Sequence, residues 1–394
     1  MRRPAPALVL AAALIVVPAL LCAGCGGAAH HTAVPAARRS ASAPRFAPPS
    51  LATSLAGPGA TWAAVPMGAA SGPDLFWQLF VLPPGSARWS LATPPDIATN
   101  GALILATPDG RELVTGIRSS LYLAFSPITS TADAGRDWAT SPPIASGLAG
   151  VPDALAAGPA GQMIALDRAG GAERADRGRT GWATLTSERS LAGTPAGRAC
   201  GLTGLTAAAY TPAGMPLLAG TCTRPGQAGI FASTGRAWQA AGPALPASLA
   251  GQPVDVLRLT RTGGHDVALL QAGTGPGASL LAAWTSGGDR WELSHPFRLG
   301  GSQVLSVSFG TSGSAAVVLN GNRGENIAGP GAVWQRLPEL PPGRTVTLAL
   351  PPAGALTALT ASGARLTIWR LVPASATWSM TQAINVPIQY GSSS

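Results

Sequence analysis

An all-β ring of seven four-stranded blades is the fold class that the sequence predicts, and three observations predict it. First, Trp89, Trp138, Trp182, Trp238, Trp291, Trp334 and Trp378 recur at separations of 49, 44, 56, 53, 43 and 44 residues. The mean, about 48, matches the length of one blade of a β-propeller. Second, six of these tryptophans follow a turn glycine: Gly135, Gly235, Gly288 and Gly331 stand three residues before the indole, Gly85 and Gly178 four. Pro94, Pro142, Pro243, Pro296 and Pro338 stand four or five residues after it. Each copy therefore reads as strand, glycine turn, Trp-bearing strand and proline stop. Third, a further hairpin lies upstream of most copies. Two β-sandwiches with accidental Trp spacing are the alternative; persistence of the period from Trp89 to Trp378 favours the ring, in which small Ala- and Gly-rich strands bury against neighbouring blades.

The upstream hairpins supply strands one and two of a blade, and the Trp hairpin strands three and four. Ala102–Ala106 turns at Asp109-Gly110 into Glu112–Thr115, and Met163–Leu166 turns at Gly170-Gly171. Val254–Leu259 turns at Gly263-Gly264 into Val267–Leu270, Val304–Phe309 near Gly313 into Ala315–Leu319, and Val346–Leu350 near Gly354 into Leu356–Thr360. Seven Trp copies imply seven blades. Ring closure is expected to pair Thr61–Val65 with the last blade, whose final strand runs from Trp378 toward Tyr390.

Composition divides the chain. With Gly 50 and Pro 37 among 394 residues, long helices are excluded, and a globular domain needs the repeat to justify it. Residues 1–24 read as a signal peptide: Arg2 and Arg3, an apolar run from Ala5 interrupted at Pro18, then small residues. Residues 25–58 form an Ala/Pro/Ser/Arg tether with almost no large apolar side chains, and residues 59–392 form the propeller. His30-His31 lies in the tether with no second ligand pair nearby. Arg2, Arg3, Arg38, Arg39 and Arg45 precede the folded body, which brings the chain's +9 down to +4 for that body. No basic stripe with interleaved aromatics remains, so nucleic acid is not an expected partner.

Two short motifs carry resemblances. Ala23-Gly24-Cys25, behind Leu20 and Leu21, resembles the bacterial lipobox, although Cys22 stands where that family usually has Leu. The resemblance implies cleavage before Cys25, a diacylglycerol on its sulfur and a membrane partner held through acyl chains at the outer face of the cytoplasmic membrane. Thr131-Ala132-Asp133-Ala134-Gly135-Arg136-Asp137-Trp138 resembles the Asp-box of sialidases and other BNR-type propellers. It implies structural roles for Thr131, Asp133, Gly135 and Trp138, away from any substrate pocket. In other copies Ser233, Ser286 and Gly329 replace the Asp.

With Cys22 removed and Cys25 acylated, Cys200 and Cys222 are the two thiols left, and export makes a disulfide between them the expected state. His265 and His295 are isolated, so no metal site and no cofactor are expected. A sialidase-like glycosidase would need three convergent arginines, a Tyr/Glu nucleophile pair and an F/Y-R-I-P segment. Only Tyr122, Tyr210 and Tyr390 exist, and the nearest segment is Phe297-Arg298-Leu299-Gly300. No spacing selects catalytic residues. The sequence is also without a nucleophile elbow, a phosphate-binding P-loop or a zinc-protease helix motif. The expectation is a monomeric, non-catalytic module for a protein or glycan partner, with the sialidase-like hydrolase as the alternative. Trp77 and Trp369 are candidates for stacking on sugar rings, with packing between blades as their other reading.

Overall fold

A computed structural model describes residues 52–56, 59–68, 75–92, 94, 102–108, 111–118, 124–176, 180–285, 290–352 and 354–387. Seven four-stranded antiparallel blades follow one another along the chain. Blade 1 is β1 (Ala52–Ala56), β2 (Thr61–Met67), β3 (Phe76–Leu82) and β4 (Ser90–Leu91). Blade 2 is β5 (Leu103–Ala106), β6 (Leu113–Ile117), β7 (Ser126–Thr131) and β8 (Ala139–Ile144). Blade 3 is β9 (Leu155–Ala157), β10 (Met163–Leu166), β11 (Gly171–Ala175) and β12 (Ala183–Ser187), followed by the short helices α1 (Glu188–Ala192) and α2 (Pro195–Cys200). Blade 4 is β13 (Leu202–Tyr210), β14 (Pro216–Cys222), β15 (Gly229–Ser233) and β16 (Trp238–Ala240). Blade 5 is β17 (Val254–Thr262), β18 (His265–Ala272), β19 (Ser279–Thr285) and β20 (Trp291–Leu293), with β21 (Phe297–Arg298) pairing the far end of β19. Blade 6 is β22 (Val304–Phe309), β23 (Ala315–Leu319), β24 (Arg323–Ile327) and β25 (Gln335–Arg336). Blade 7 is β26 (Arg344–Ala349), β27 (Thr357–Ser362), β28 (Arg365–Val372) and β29 (Thr377–Asn385).

Every repeat tryptophan stands at the start of the fourth strand of its blade, and each packs toward the preceding blade. Trp182 donates its indole N–H to Pro142 O at 2.9 Å, and Trp334 donates to Ser294 Oγ at 3.3 Å. Trp291 donates to Ala241 O. The reason is geometric: the outer strand is the widest part of a blade, where the gap to the next blade is largest and a bicyclic side chain is needed to fill it. Apolar clusters occupy the interfaces around the whole ring. Trp138 joins the cluster between blades 1 and 2, Trp182 and Trp238 the one spanning blades 2 to 4, and Trp291 the one between blades 4 and 5. Trp334 serves blades 5 and 6, Trp378 blades 6 and 7, and Trp89 blades 7 and 1.

The structure corrects three expectations. The described propeller begins at Ala52, inside the stretch assigned to the tether, because Ala52–Ala56 is an innermost strand paired with β2 and β22, with Ser54, Leu55 and Ala56 buried. Among the described residues, ring closure shares no strand: Thr61–Val65 belongs to β2 and pairs with β1 and β3, while β29 pairs with β28 in blade 7. Met163–Leu166 is the second strand of blade 3, since the first, Leu155–Ala157, is only three residues long and carries no hairpin signal. The signal segment, Cys22, Cys25, His30-His31, the tether arginines, Tyr122, Ser286, Gly288 and Tyr390 lie outside the described residues.

Side chains close the seam between blades 7 and 1. The Gln382 amide accepts from Trp89 N at 2.9 Å and donates to Trp89 O at 2.8 Å, imitating one rung of a strand ladder. A bulge at Thr381, where Ile368 faces Gln382 and Trp369 faces Met380, re-aims the chain just before Gln382. Arg344 Nη2 donates to Pro66 O at 3.1 Å, and Gly68 bridges Gly363. Replacing Gln382 with alanine should remove two part-buried hydrogen bonds and cost about 1–3 kcal/mol. Amide exchange should then accelerate first in blades 7 and 1; uniform acceleration around the ring would show that the seam is no weaker than other interfaces.

Candidate functional site: a sealed axis

The innermost strands should line a channel, but their side chains fill it. Arg258 of β17 is fully buried and grips Asp153, just before β9, with Nε to Oδ2 and Nη2 to Oδ1, both at 2.7 Å. Arg258 Nη1 also donates to Val307 O of β22 at 3.1 Å, and Asp153 Oδ2 accepts the Leu259 N–H at 2.8 Å. One planar guanidinium thus ties blades 3, 5 and 6 together. A bidentate pair suits this role because removing charge from water is tolerated only when the lone pairs and N–H groups find partners.

A second layer consists of hydroxyls. Ser306 and Thr347 hydrogen-bond each other at 2.7 Å, and Ser54 and Ser308 both donate to Leu348 O. β1 lies parallel to β22, from Ala52 opposite Ser306 to Leu55 opposite Phe309, so strands of blades 1 and 6 meet directly at the axis. Thr262 Oγ1 donates to Ala56 O at 3.2 Å, bringing blade 5 to the same place. Ser54, Arg258, Ser308 and Thr347 have no exposed surface.

Bulges produce this arrangement. The registers of β17, β22 and β26 each skip one residue, Leu257, Leu305 and Val346 respectively, and that of β13 shifts twice, between Leu202 and Leu205 and again at Thr206. Past the skipped residue, Arg258, Ser306 and Thr347 enter the axial network. Thr206 itself donates to Val256 O at 2.7 Å. Sequence reading missed the network, although a break in alternation at Val256-Leu257-Arg258-Leu259 marks one bulge.

The Asp-box forms a closed turn between β7 and β8. Thr131 donates its hydroxyl to Asp133 Oδ1 at 2.8 Å and accepts the Gly135 N–H at 3.0 Å. Asp133 Oδ1 accepts the N–H groups of Arg136 and Asp137, each at 3.0 Å, and Trp138 Nε1 donates to Gly135 O at 3.1 Å. Gly135 has φ 83°, and a Cβ there would lie 2.8 Å from the Ala92 Cβ of blade 1, so glycine is required on both counts. In blade 4, Ser233 stands in for the Asp and accepts the Gly235 N–H at 3.2 Å. In blade 6, Gly329 has no side chain to cap with, and its carbonyl accepts the Ala332 N–H at 3.2 Å instead.

The Asp137 N–H and the Thr131 hydroxyl hold the Asp133 carboxyl below its ordinary range. A depressed folded-state value means that its stabilisation is complete above the unfolded value and is lost as pH falls through the folded one. Asp133→Asn should therefore lower the melting temperature near neutral pH, and the deficit should shrink below about pH 4. A deficit that did not vary with pH would exclude the charge as its cause.

The other candidates are scattered. Cys200 and Cys222 form a buried disulfide beside Gly229, tying α2 to the end of β14. Tyr210 ends β13 in the apolar cluster that spans blades 2 to 4, and burial pushes its hydroxyl well above the ordinary range. Phe297-Arg298 sits on a blade edge pairing β19, with Arg298 exposed, because Gly300 turns the chain there rather than at a channel mouth. Trp77 is buried in the interface between blades 1 and 2, and Trp369 is half-buried with Nε1 bonded to Thr360 Oγ1 at 3.0 Å, so both pack rather than present a sugar platform. His265 Nδ1 meets Thr285 O at 2.5 Å, and His295 is exposed between β20 and β21 of the same blade. Among the described residues, no three His, Cys, Asp or Glu side chains converge as metal ligands, and no helix is long and apolar enough to cross a membrane.

The blades and their sealed axis define a β-propeller. Solved structures agree at the level of fold. A protein of Lactobacillus plantarum is 10% identical with a TM-score of 0.52, over 83% of this chain and 97% of that one. A putative 6-phosphogluconolactonase of Bacteroides fragilis is 11% identical with a TM-score of 0.51, over 84% and 96%. YCF48 from Cyanidioschyzon merolae is more distant in shape, at 14% identity and a TM-score of 0.46, over 77% and 94%. No family model matches the sequence, and no curated protein is significantly similar to it.

Proposed function

We propose that this chain is an exported lipoprotein, anchored through Cys25 to the outer face of the cytoplasmic membrane, whose propeller is a non-catalytic binding or scaffolding module for a protein or glycan. The observation that carries the reading is the filled axis. A sialidase-type mechanism needs arginines offered to a substrate carboxylate at the centre of the ring, whereas Arg258 there is spent on Asp153 and Val307 O. Ligand contact then falls to the faces and rim, where loops from several blades come together. The anchor rests on the lipobox resemblance and on a disulfide of the kind oxidising compartments allow.

Two measurements test this. Mass spectrometry of the mature N-terminus should find a diacylglycerol-modified Cys25; an unmodified Cys25, or retention of residues 1–24, would overturn the anchor. Incubation with a fluorogenic sialoside should give no turnover above buffer. Turnover abolished by a rim substitution such as Arg298→Ala, which leaves the axis intact, would establish the glycosidase instead.

A further inference from the structure

We infer that the outer edge of blade 7 is a self-association surface, where β29 pairs antiparallel with β29 of a second copy about a two-fold axis. The edge strands of the other blades are blunted. β4 and β25 have two residues and β16 and β20 three; β8 contains Pro142 and Pro143; β12 runs directly into α1. β29 has nine residues, Thr377–Asn385, with no proline and no charged side chain. Among the described residues it ends its sheet, so its far side offers backbone groups, and its exposed residues include Met380, 56% accessible. Its single blunting device is the bulge at Thr381, with an uncharged run of four residues on each side. Proteins usually protect such edges with lysine, proline or short length.

Charge argues for a second copy as the occupant. A two-fold axis sets the strand against itself, which punishes any charged edge with like-charge pairs; here every register sets neutral residues against neutral ones. Nine residues span about 30 Å, a narrow contact that falls well short of the roughly 1,200 Å² of a stable interface. The association is therefore weak and concentration-dependent, and dilute protein is monomeric.

Hydrogen exchange of full-length protein, followed over about two decades of concentration, tests the inference. Amides of residues 377–385 should exchange at least about tenfold more slowly at the high end. Met380→Lys and Ser379→Lys, at exposed positions whose side chains hold no fold contact on that edge, should each abolish the slowing. Gln335→Lys on β25 should leave it intact. Exchange in this strand that is independent of concentration, or protection that survives Met380→Lys, would overturn the proposal.

Discussion

Arg258→Met should destabilise the propeller by about 3–5 kcal/mol, the largest effect expected of any single substitution at the axis. The loss comes less from the attraction given up than from what remains: Asp153 keeps a buried carboxylate with only the Leu259 N–H to solvate it. Val307 O also loses the Nη1 donor. Asp153→Leu in the Arg258→Met background should recover part of the deficit by removing the orphaned charge. Recovery will be incomplete, because the Leu259 N–H then loses its acceptor. Denaturation midpoints of the two single variants and the double variant would measure the coupling. A single variant within about 0.5 kcal/mol of wild type would mean that water reaches the axis and that it is not sealed.

Removing the Cys200–Cys222 bridge, with both cysteines changed to alanine, should cost about 3 kcal/mol if chain entropy dominates. The sequence separation is 22, so the unfolded chain regains a loop of moderate size. Unlike the Arg258 change, this loss is local in its structural consequence. It frees α2, whose Cys200 O accepts the Arg224 N–H, from the end of β14, where Cys222 also faces Val254 of blade 5. Thermal unfolding with and without reductant is the check: reductant should lower the wild-type melting temperature by several degrees and leave the double variant unchanged. Equal sensitivity of both proteins to reductant would rule out the bridge as the source.

Periodic features made the fold legible. Trp89 through Trp378, with their glycines and prolines, reported seven outer hairpins because that is where bulky filler and tight turns are locally required. The Asp-box was legible for the same reason, its hydrogen bonds all falling between Thr131 and Trp138. The axis was not legible. Asp153 and Arg258 lie 105 residues apart and meet only once five blades are in place. The broken alternation at Val256–Leu259 marks a bulge, but nothing in either local sequence pairs Arg258 with Asp153. β1 was hidden by its own fitness for the axis, since small residues read equally as tether and as crowded inner strand. The candidate site inherits this limit: what fills the centre is set by ring geometry, and what the faces present depends on loops that follow no period.

The parallel ladder between β1 and β22 orders events in time. Ser54, near the first residue of the ring, donates to Leu348, 294 residues later. A chain emerging N-terminus first therefore exposes its earliest strand long before any inner-strand partner from blade 6 or 7 exists. Loop-closure entropy places this contact, with the Gly68–Gly363 and Trp89–Gln382 contacts of the seam, among the last and slowest to form. Until then the molecule is an open arc with a bare apolar end at blade 1, and it becomes a ring only when its final eighth arrives. Truncation near the C-terminus should thus be more damaging than the small number of residues lost would suggest.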